Sequence, residues 1–317
     1  MISIANFFHD LFRRNMQEAP VTATTSGKDI ALVLGGGGAR GYAHIGAIEV
    51  LLENGYNITS IAGTSMGALV GGLYASGKLK ELKEISEGIN RKKMFKIFNI
   101  SLGKNHLTDG NNLMEIMDDV IGDIEIEDMP IDFCCCATDI VTGKEKVFNN
   151  GPLKTAIRAS ISIPCLFKPV TDSYHIYIDG SIHNTLPLDR VKRHEGDILV
   201  AVNVSAPDSH PYKSYLEHTD DKDDESIKSI WKKFFNHNEL SMNYFNIMQR
   251  VVKISIQNNT QMAMRLTPPD ICAEIPMDSF NILKFNKAAE IIAMGREAMK
   301  QALQRYEEQK GHEHITN

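Results

Sequence analysis

No run of consecutive apolar residues in the sequence approaches the roughly 18 that a membrane span requires. A basic excess is absent too. The formal net charge is -6, which argues against nucleic acid as the main partner, because a phosphate-binding surface draws on surplus Lys and Arg. Cysteine is scarce and odd in number, five in all, and Cys134, Cys135 and Cys136 are adjacent. Neighbours on a strand point to opposite faces, so these thiols are poorly set to pair, and none of the spacings suits zinc. A reducing compartment, the cytoplasm, is the expected location. At the N-terminus Asp10, Arg13 and Arg14 follow the apolar residues instead of preceding them, which is not the order of a secretory signal.

What is present is enough for a full core. With 317 residues, 43% hydrophobic and 23% charged, the chain reads as an ordinary globule of one large or two small domains. Residues 1–14 place Ile4, Phe7, Phe8, Leu11 and Phe12 on one helical face. That stripe suits packing on the protein's own domain or a second subunit, with a membrane interface as the alternative. Residues 15–28 are polar and unpatterned, a linker.

The run Ile30–Leu34 then reads as a buried parallel strand, followed at once by Gly35-Gly36-Gly37-Gly38-Ala39-Arg40-Gly41 and a helix from Tyr42 that stops at Gly55. A second strand from Ile58 breaks at Gly63, and a helical pattern resumes at Met66. This is a parallel βαβ unit. Gly36-x-Gly38-x-x-Gly41 has the spacing of a dinucleotide fingerprint, yet the second strand ends in Ala62-Gly63-Thr64-Ser65, without the carboxylate that would hold a ribose. No Gly-Lys-Ser/Thr closes a phosphate loop either.

Gly63-x-Ser65-x-Gly67 between strand and helix has the form of a nucleophile elbow, with the serine hydroxyl thrust from the sheet edge toward a helix N-terminus. Alone, the motif leaves open that the glycines only allow close helix packing. Each interior glycine of the face formed by Gly67, Ala68, Gly71, Gly72 and Ala75 costs about 0.8–1.0 kcal/mol relative to alanine, so something must press on it, backbone or ligand. A glycine loop beside an elbow also suits an oxyanion hole of backbone amides. The two motifs support each other.

Further on, residues 78–127 read as helical and include a basic and aromatic cluster, Arg91 to Phe98, whose default reading is a solvated face and whose alternative is anionic lipid headgroups. Phe133–Ala137 and Glu145–Phe148 form a hairpin, and Leu153–Ser160 a helix. Tyr174–Ile178 is a strand ending in Asp179-Gly180-Ser181, which can be a bare turn or can present a carboxylate at the ligand-binding end of the sheet. Residues 197–204 read as the last clear strand. An acidic loop at 217–225, an apolar stripe from Ile227 to Phe235, a Met-rich stretch at 240–266, a helix from Phe285 to Tyr306 and a loose tail after Glu307 complete the chain.

Taken in order, Gly36-Gly37-Gly38-Ala39-Arg40-Gly41, Gly63-Thr64-Ser65-Met66-Gly67, Arg158-Ala-Ser-Ile-Ser-Ile-Pro164 and Asp179-Gly180 resemble the patatin-like phospholipases in their compact bacterial form, over residues 29–204. The resemblance implies a three-layer α/β/α sandwich with a mostly parallel central sheet. It also implies hydrolysis of lipid or lysophospholipid acyl esters by a Ser-Asp dyad, with no cofactor and no metal. By this resemblance Ser65 is the nucleophile and Asp179 accepts its proton. Gly36, Gly37 and Gly38 form the oxyanion loop held by Arg40, and Gly41, Gly63, Gly67 and Gly180 support the motifs. Ser181 departs from the family's usual Gly or Ala after Asp-Gly. The domain plan is then 1–28 as amphipathic segment and linker, 29–204 as catalytic core, 205–306 as acidic loop and helical part of the same domain, and 307–317 as tail. Two other readings stay open. The fold can serve as a regulatory or partner-binding module with incidental esterase activity, or as a conventional esterase in which one of His183, His194, His210, His218 and His237 completes a triad. Peripheral contact with the inner membrane surface is a further expectation, and a protein partner is not specified.

Overall fold

The continuous apolar run Ile30–Leu34 has no polar face to offer water, and it becomes an inner strand. A computed structural model describes residues 28–89, 111–164, 166–210 and 239–316. Its strands are β1 (Asp29–Leu34), β2 (Asn57–Thr64), β3 (Asp132–Asp139), β4 (Lys144–Phe148), β5 (Val170–Thr171), β6 (Ile176–Asp179), β7 (Ile198–Ala206) and β8 (Ile271–Pro276). They form one eight-stranded sheet, bonded along the path β5-β6-β3-β2-β1-β7-β8, with β4 joined to β3 off that path. From β3 to β8 every neighbour is parallel, whereas β4, β5 and β6 pair antiparallel.

Alternate residues of β1 feed two separate cores. Ile30, Leu32 and Leu34 join the larger core, with α1 (Ala43–Glu53), α2 (Met66–Ala75), α3 (Leu79–Glu87), α4 (Asn111–Ile121), α5 (Leu153–Ser160) and α7 (Ala288–Thr316) on that face. Ala31 and Val33 join Ala62, Leu199 and Ala201 in a thinner core, covered by Leu186, Leu188 and Val191 and by Ala263 and Met264 of α6 (Glu239–Leu266). Two covered faces make the three layers. Cys134 points into the thin core and Cys135 into the thick one, as alternation requires, and the described cysteines are free thiols.

The small face of α2 presses on backbone and on apolar side chains. A Cβ at Gly67 would collide with the Leu34 carbonyl, and one at Gly71 would stand 2.8 Å from Ile61 Cγ2.

Three expectations change. Residues 197–204 do not hold the last strand: β8 follows and pairs in parallel with β7. It is a six-residue run set behind Thr267-Pro268-Pro269, too short for a clear periodic signal. The C-terminal helix does not fray at Glu307 but continues as α7 to Thr316. Tyr174 and His175 lie outside β6, because Asp172 accepts their backbone N–H groups in a turn. The N-terminal stripe, the 91–98 cluster, the acidic run at 217–225 and the 227–235 stripe lie outside the described residues.

Candidate active site

Strand β3 acts as the ruler that brings the site together. β4 pairs with Cys135–Asp139, overlapping both the β2 register, which ends at Thr64↔Cys136, and the β6 register, which starts at Asp179↔Ala137. Partners that share a residue of β3 must occupy opposite edges, so β2 and β6 lie on the same edge, end to end. Thr64 and Asp179 therefore stand opposite consecutive residues of β3. The chain leaves β2 at Ser65 and leaves β6 at Asp179, so two segments more than a hundred residues apart meet there.

Ser65 is the single non-glycine residue with positive φ among the described residues, at φ 56° and ψ -122°. Such a conformation costs on the order of 1–3 kcal/mol and persists where the surroundings over-determine it. Ser65 donates its hydroxyl to Asp179 Oδ2 at 2.5 Å, while the Ser181 N–H donates to Oδ1 at 2.8 Å. Ser65 and Asp179 are both buried, at 2% and 4% exposure, which makes this a short charge-assisted contact in a dry setting. Burial pushes the Asp179 carboxyl above its usual range, opposed by the hydrogen bonds from Ser65 and Ser181. The carboxylate is thereby a better proton acceptor than an exposed one.

The glycine loop lies across the ends of β1 and β7. Gly35 N–H donates to Val202 O at 3.1 Å, Gly36 N–H to Thr185 O at 2.9 Å and Ala39 N–H to Ile282 O at 2.8 Å. No acceptor among the described residues takes the Gly37 or Gly38 N–H. Of the three glycines expected in an oxyanion loop, Gly36 thus has its amide committed, and Gly37 and Gly38 have theirs to offer. Gly36 still matters sterically, since a Cβ there would overlap Ser181 Oγ and stand 3.3 Å from Ser65 Cβ. Gly38 adopts φ +56° with Ile282 against it.

Arg40 is buried and anchors the loop, donating from Nε to Val204 O at 2.8 Å and from Nη1 to Met277 O and Phe280 O at 3.2 and 2.9 Å. Burial lowers its pKa to about 10, with Asp208 and Asp278 working the other way, so it stays charged at neutral pH. His44 Nε2 lies 2.8 Å from Gly35 O. Burial lowers the His44 pKa to about 4, so the ring is neutral and Nε2 carries the proton that the carbonyl accepts. It is a helix-start core residue, as its position in the sequence suggests.

Among the described residues no histidine bonds Ser65 or Asp179. His175 faces Asp139, and His194 faces Asp197 and Asp132. A triad finds no support there. Gly41, Gly63 and Gly180 each let another segment pass closely: Met66, the Gly67 carbonyl and the Cys136 carbonyl respectively. Among the described residues there is no group of three or more His, Cys, Asp or Glu set to hold a metal, and no helix long and apolar enough to cross a membrane.

Sequence reasoning gave no role to Ser160 and Ser162. Ser160 Oγ accepts the Ser65 N–H at 2.9 Å, and the Ser162 carbonyl accepts the Asp179 N–H at 2.9 Å. Their appearance in the quoted Arg158–Pro164 motif was the available signal.

Compared with known protein families, residues 32–192, just over half of the chain, match the family described as patatin-like phospholipase. The chain belongs to that family. Patatin-like phospholipases are lipid hydrolases, which places the protein among them at that level. An uncharacterised NTE family protein of Mycobacterium tuberculosis is 28% identical over 89% of this chain and 93% of its own length. A lysophospholipase of Aspergillus fumigatus, nte1, is 28% identical over 94% of this chain, and the match spans 19% of that longer protein. Among solved structures, VipD from Legionella pneumophila aligns with a TM-score of 0.45 at 14% identity, over 90% of this chain and 68% of that one.

Proposed function

We propose that this patatin-like protein is a serine acyl hydrolase of lysophospholipase or phospholipase A type, acting through Ser65 and Asp179. The observation that carries the proposal is the 2.5 Å contact from Ser65 Oγ to Asp179 Oδ2 at the end of the sheet. Asp179 removes the proton as Ser65 Oγ attacks the ester carbonyl carbon. The carbonyl oxygen becomes an oxyanion in the cradle of the Gly37 and Gly38 amides. Protonated Asp179 then returns the proton to the leaving alcohol, and the acyl group stays on Ser65. A water molecule, deprotonated by Asp179, attacks the acyl carbon; the second tetrahedral intermediate collapses by breaking the bond to Ser65 Oγ, to which Asp179 returns the proton, and the fatty acid is freed. A lysophospholipid substrate is supported by the name of the fungal relative. The buried free thiols Cys134, Cys135 and Cys136 suit a cytoplasmic setting, with the inner membrane surface as the source of lipid.

The test uses Ser65→Ala beside the unmodified protein, on a p-nitrophenyl acyl ester and on lysophosphatidylcholine, with fluorophosphonate labelling read by mass spectrometry. Turnover and labelling at Ser65 should both vanish in the variant. Undiminished turnover would refute the assignment.

A further inference from the structure

The β2–β3 ladder stops at Thr64↔Cys136, leaving the Cys136 carbonyl and the Ser65 N–H at the point where the next rung would form. Ser65 turns away at positive φ, and the hydroxyl of Ser160 stands in the gap. It accepts the Ser65 N–H at 2.9 Å and donates to Cys136 O at 2.6 Å, fully buried. Two residues on, the Ser162 carbonyl accepts the Asp179 N–H at 2.9 Å. One turn at the end of α5 therefore grips the backbone of both dyad residues, one from each strand. The turn is itself braced. Arg158 Nη1 donates to Ser162 Oγ at 2.6 Å, Arg158 Nη2 to Lys168 O at 2.7 Å, and Ser162 Oγ to Arg158 O at 2.8 Å.

We infer that Ser160 is a positioning residue that sets the approach of Ser65 to Asp179 by holding the elbow in its strained conformation; the inference rests on the dyad reading above. Ser160 does not touch the reacting atoms. Its hydroxyl replaces a missing rung, and the Ser162 carbonyl fixes the acid relative to the same turn. Loss of the hydroxyl leaves a buried N–H and a buried carbonyl without partners and lets the elbow relax, so the Oγ to Oδ2 approach loosens while the substrate-binding surface stays in place.

The experiment compares Ser160→Ala and Ser160→Cys with the unmodified chain and with Ser65→Ala. The thiol keeps the shape of serine but hydrogen-bonds weakly, so it decides the matter even where the alanine variant does not fold. Expected is a fall in kcat of about ten- to a hundredfold, as a small displacement of reacting groups produces, with KM within about twofold. Fluorophosphonate labelling of Ser65 should slow in parallel. Unchanged kcat and labelling, or a change confined to KM, overturns the inference. Should Ser65→Ala be inactive while both Ser160 variants behave as the unmodified protein, only the positioning role falls. An active Ser65→Ala variant removes the dyad and this role together.

Discussion

Replacing Asp179 by Asn separates catalysis from stability in a way that few substitutions in this protein should. Asp179 uses Oδ1 to accept the Ser181 N–H and Oδ2 to accept the Ser65 hydroxyl. In the variant the amide oxygen can keep the Ser181 bond, but the amide nitrogen faces Ser65 and donates to it, so the serine proton has no acceptor. A positioned general base contributes about 10²–10⁴-fold, or roughly 3–5 kcal/mol of barrier, and kcat should fall by that factor. Stability should move the other way. Burial raises the Asp179 pKa above 3.8, so the folded protein holds this proton more tightly than the unfolded chain. Its contribution to stability is therefore lost as pH rises from the unfolded value through the raised folded one, and stays lost at neutral pH. The amide does not ionise and avoids that loss. Melting curves of both proteins from acid to neutral pH should show the variant gaining on the unmodified chain and then running parallel to it. Initial rates on a p-nitrophenyl ester should show the acid limb of kcat/KM only in the unmodified protein. Activity retained within a few-fold, or an acid limb that survives the substitution, would refute the reasoning.

Two further outcomes concern the glycine loop and the histidine bonded to its Gly35 carbonyl. Gly36→Ala puts a methyl group where Ser181 Oγ already lies and 3.3 Å from Ser65 Cβ, and kcat should drop by about a hundredfold with a smaller change in KM, measured on the same ester. Burial lowers the His44 pKa from 6.5 to about 4, so its contribution to stability is present above pH 6.5 and lost as pH falls toward 4. The loss amounts to about 3 kcal/mol, and urea unfolding of His44→Gln across that window should show a flatter pH dependence than the unmodified chain.

Much of the candidate site was legible because its parts are local. A strand running into glycines needs only Ile30 to Gly41 to be recognised, and an elbow only Gly63 to Gly67; backbone sterics at those positions do not depend on distant chain. Asp179 was legible as a carboxylate at a strand end. Other features were not. Nothing local showed that Thr185 O accepts the Gly36 amide, because Thr185 reaches that point only through the turn after Asp179. β8 escaped notice because six residues carry little periodicity, and its identity as a strand comes from the open edge of β7 beside it.

The sequence by itself determined the period of each long element, the place of the sharp bend at Ser65 and the chemistry available there. All of these follow from short-range sterics and from which side chains are apolar. Only the tertiary structure decided that β2 and β6 share one edge of β3, and so that hydroxyl and carboxylate touch at 2.5 Å. Strand order, burial of the carboxylate and the Ser160 clasp are relations between segments far apart in the chain. They exist only once both cores have closed on the sheet.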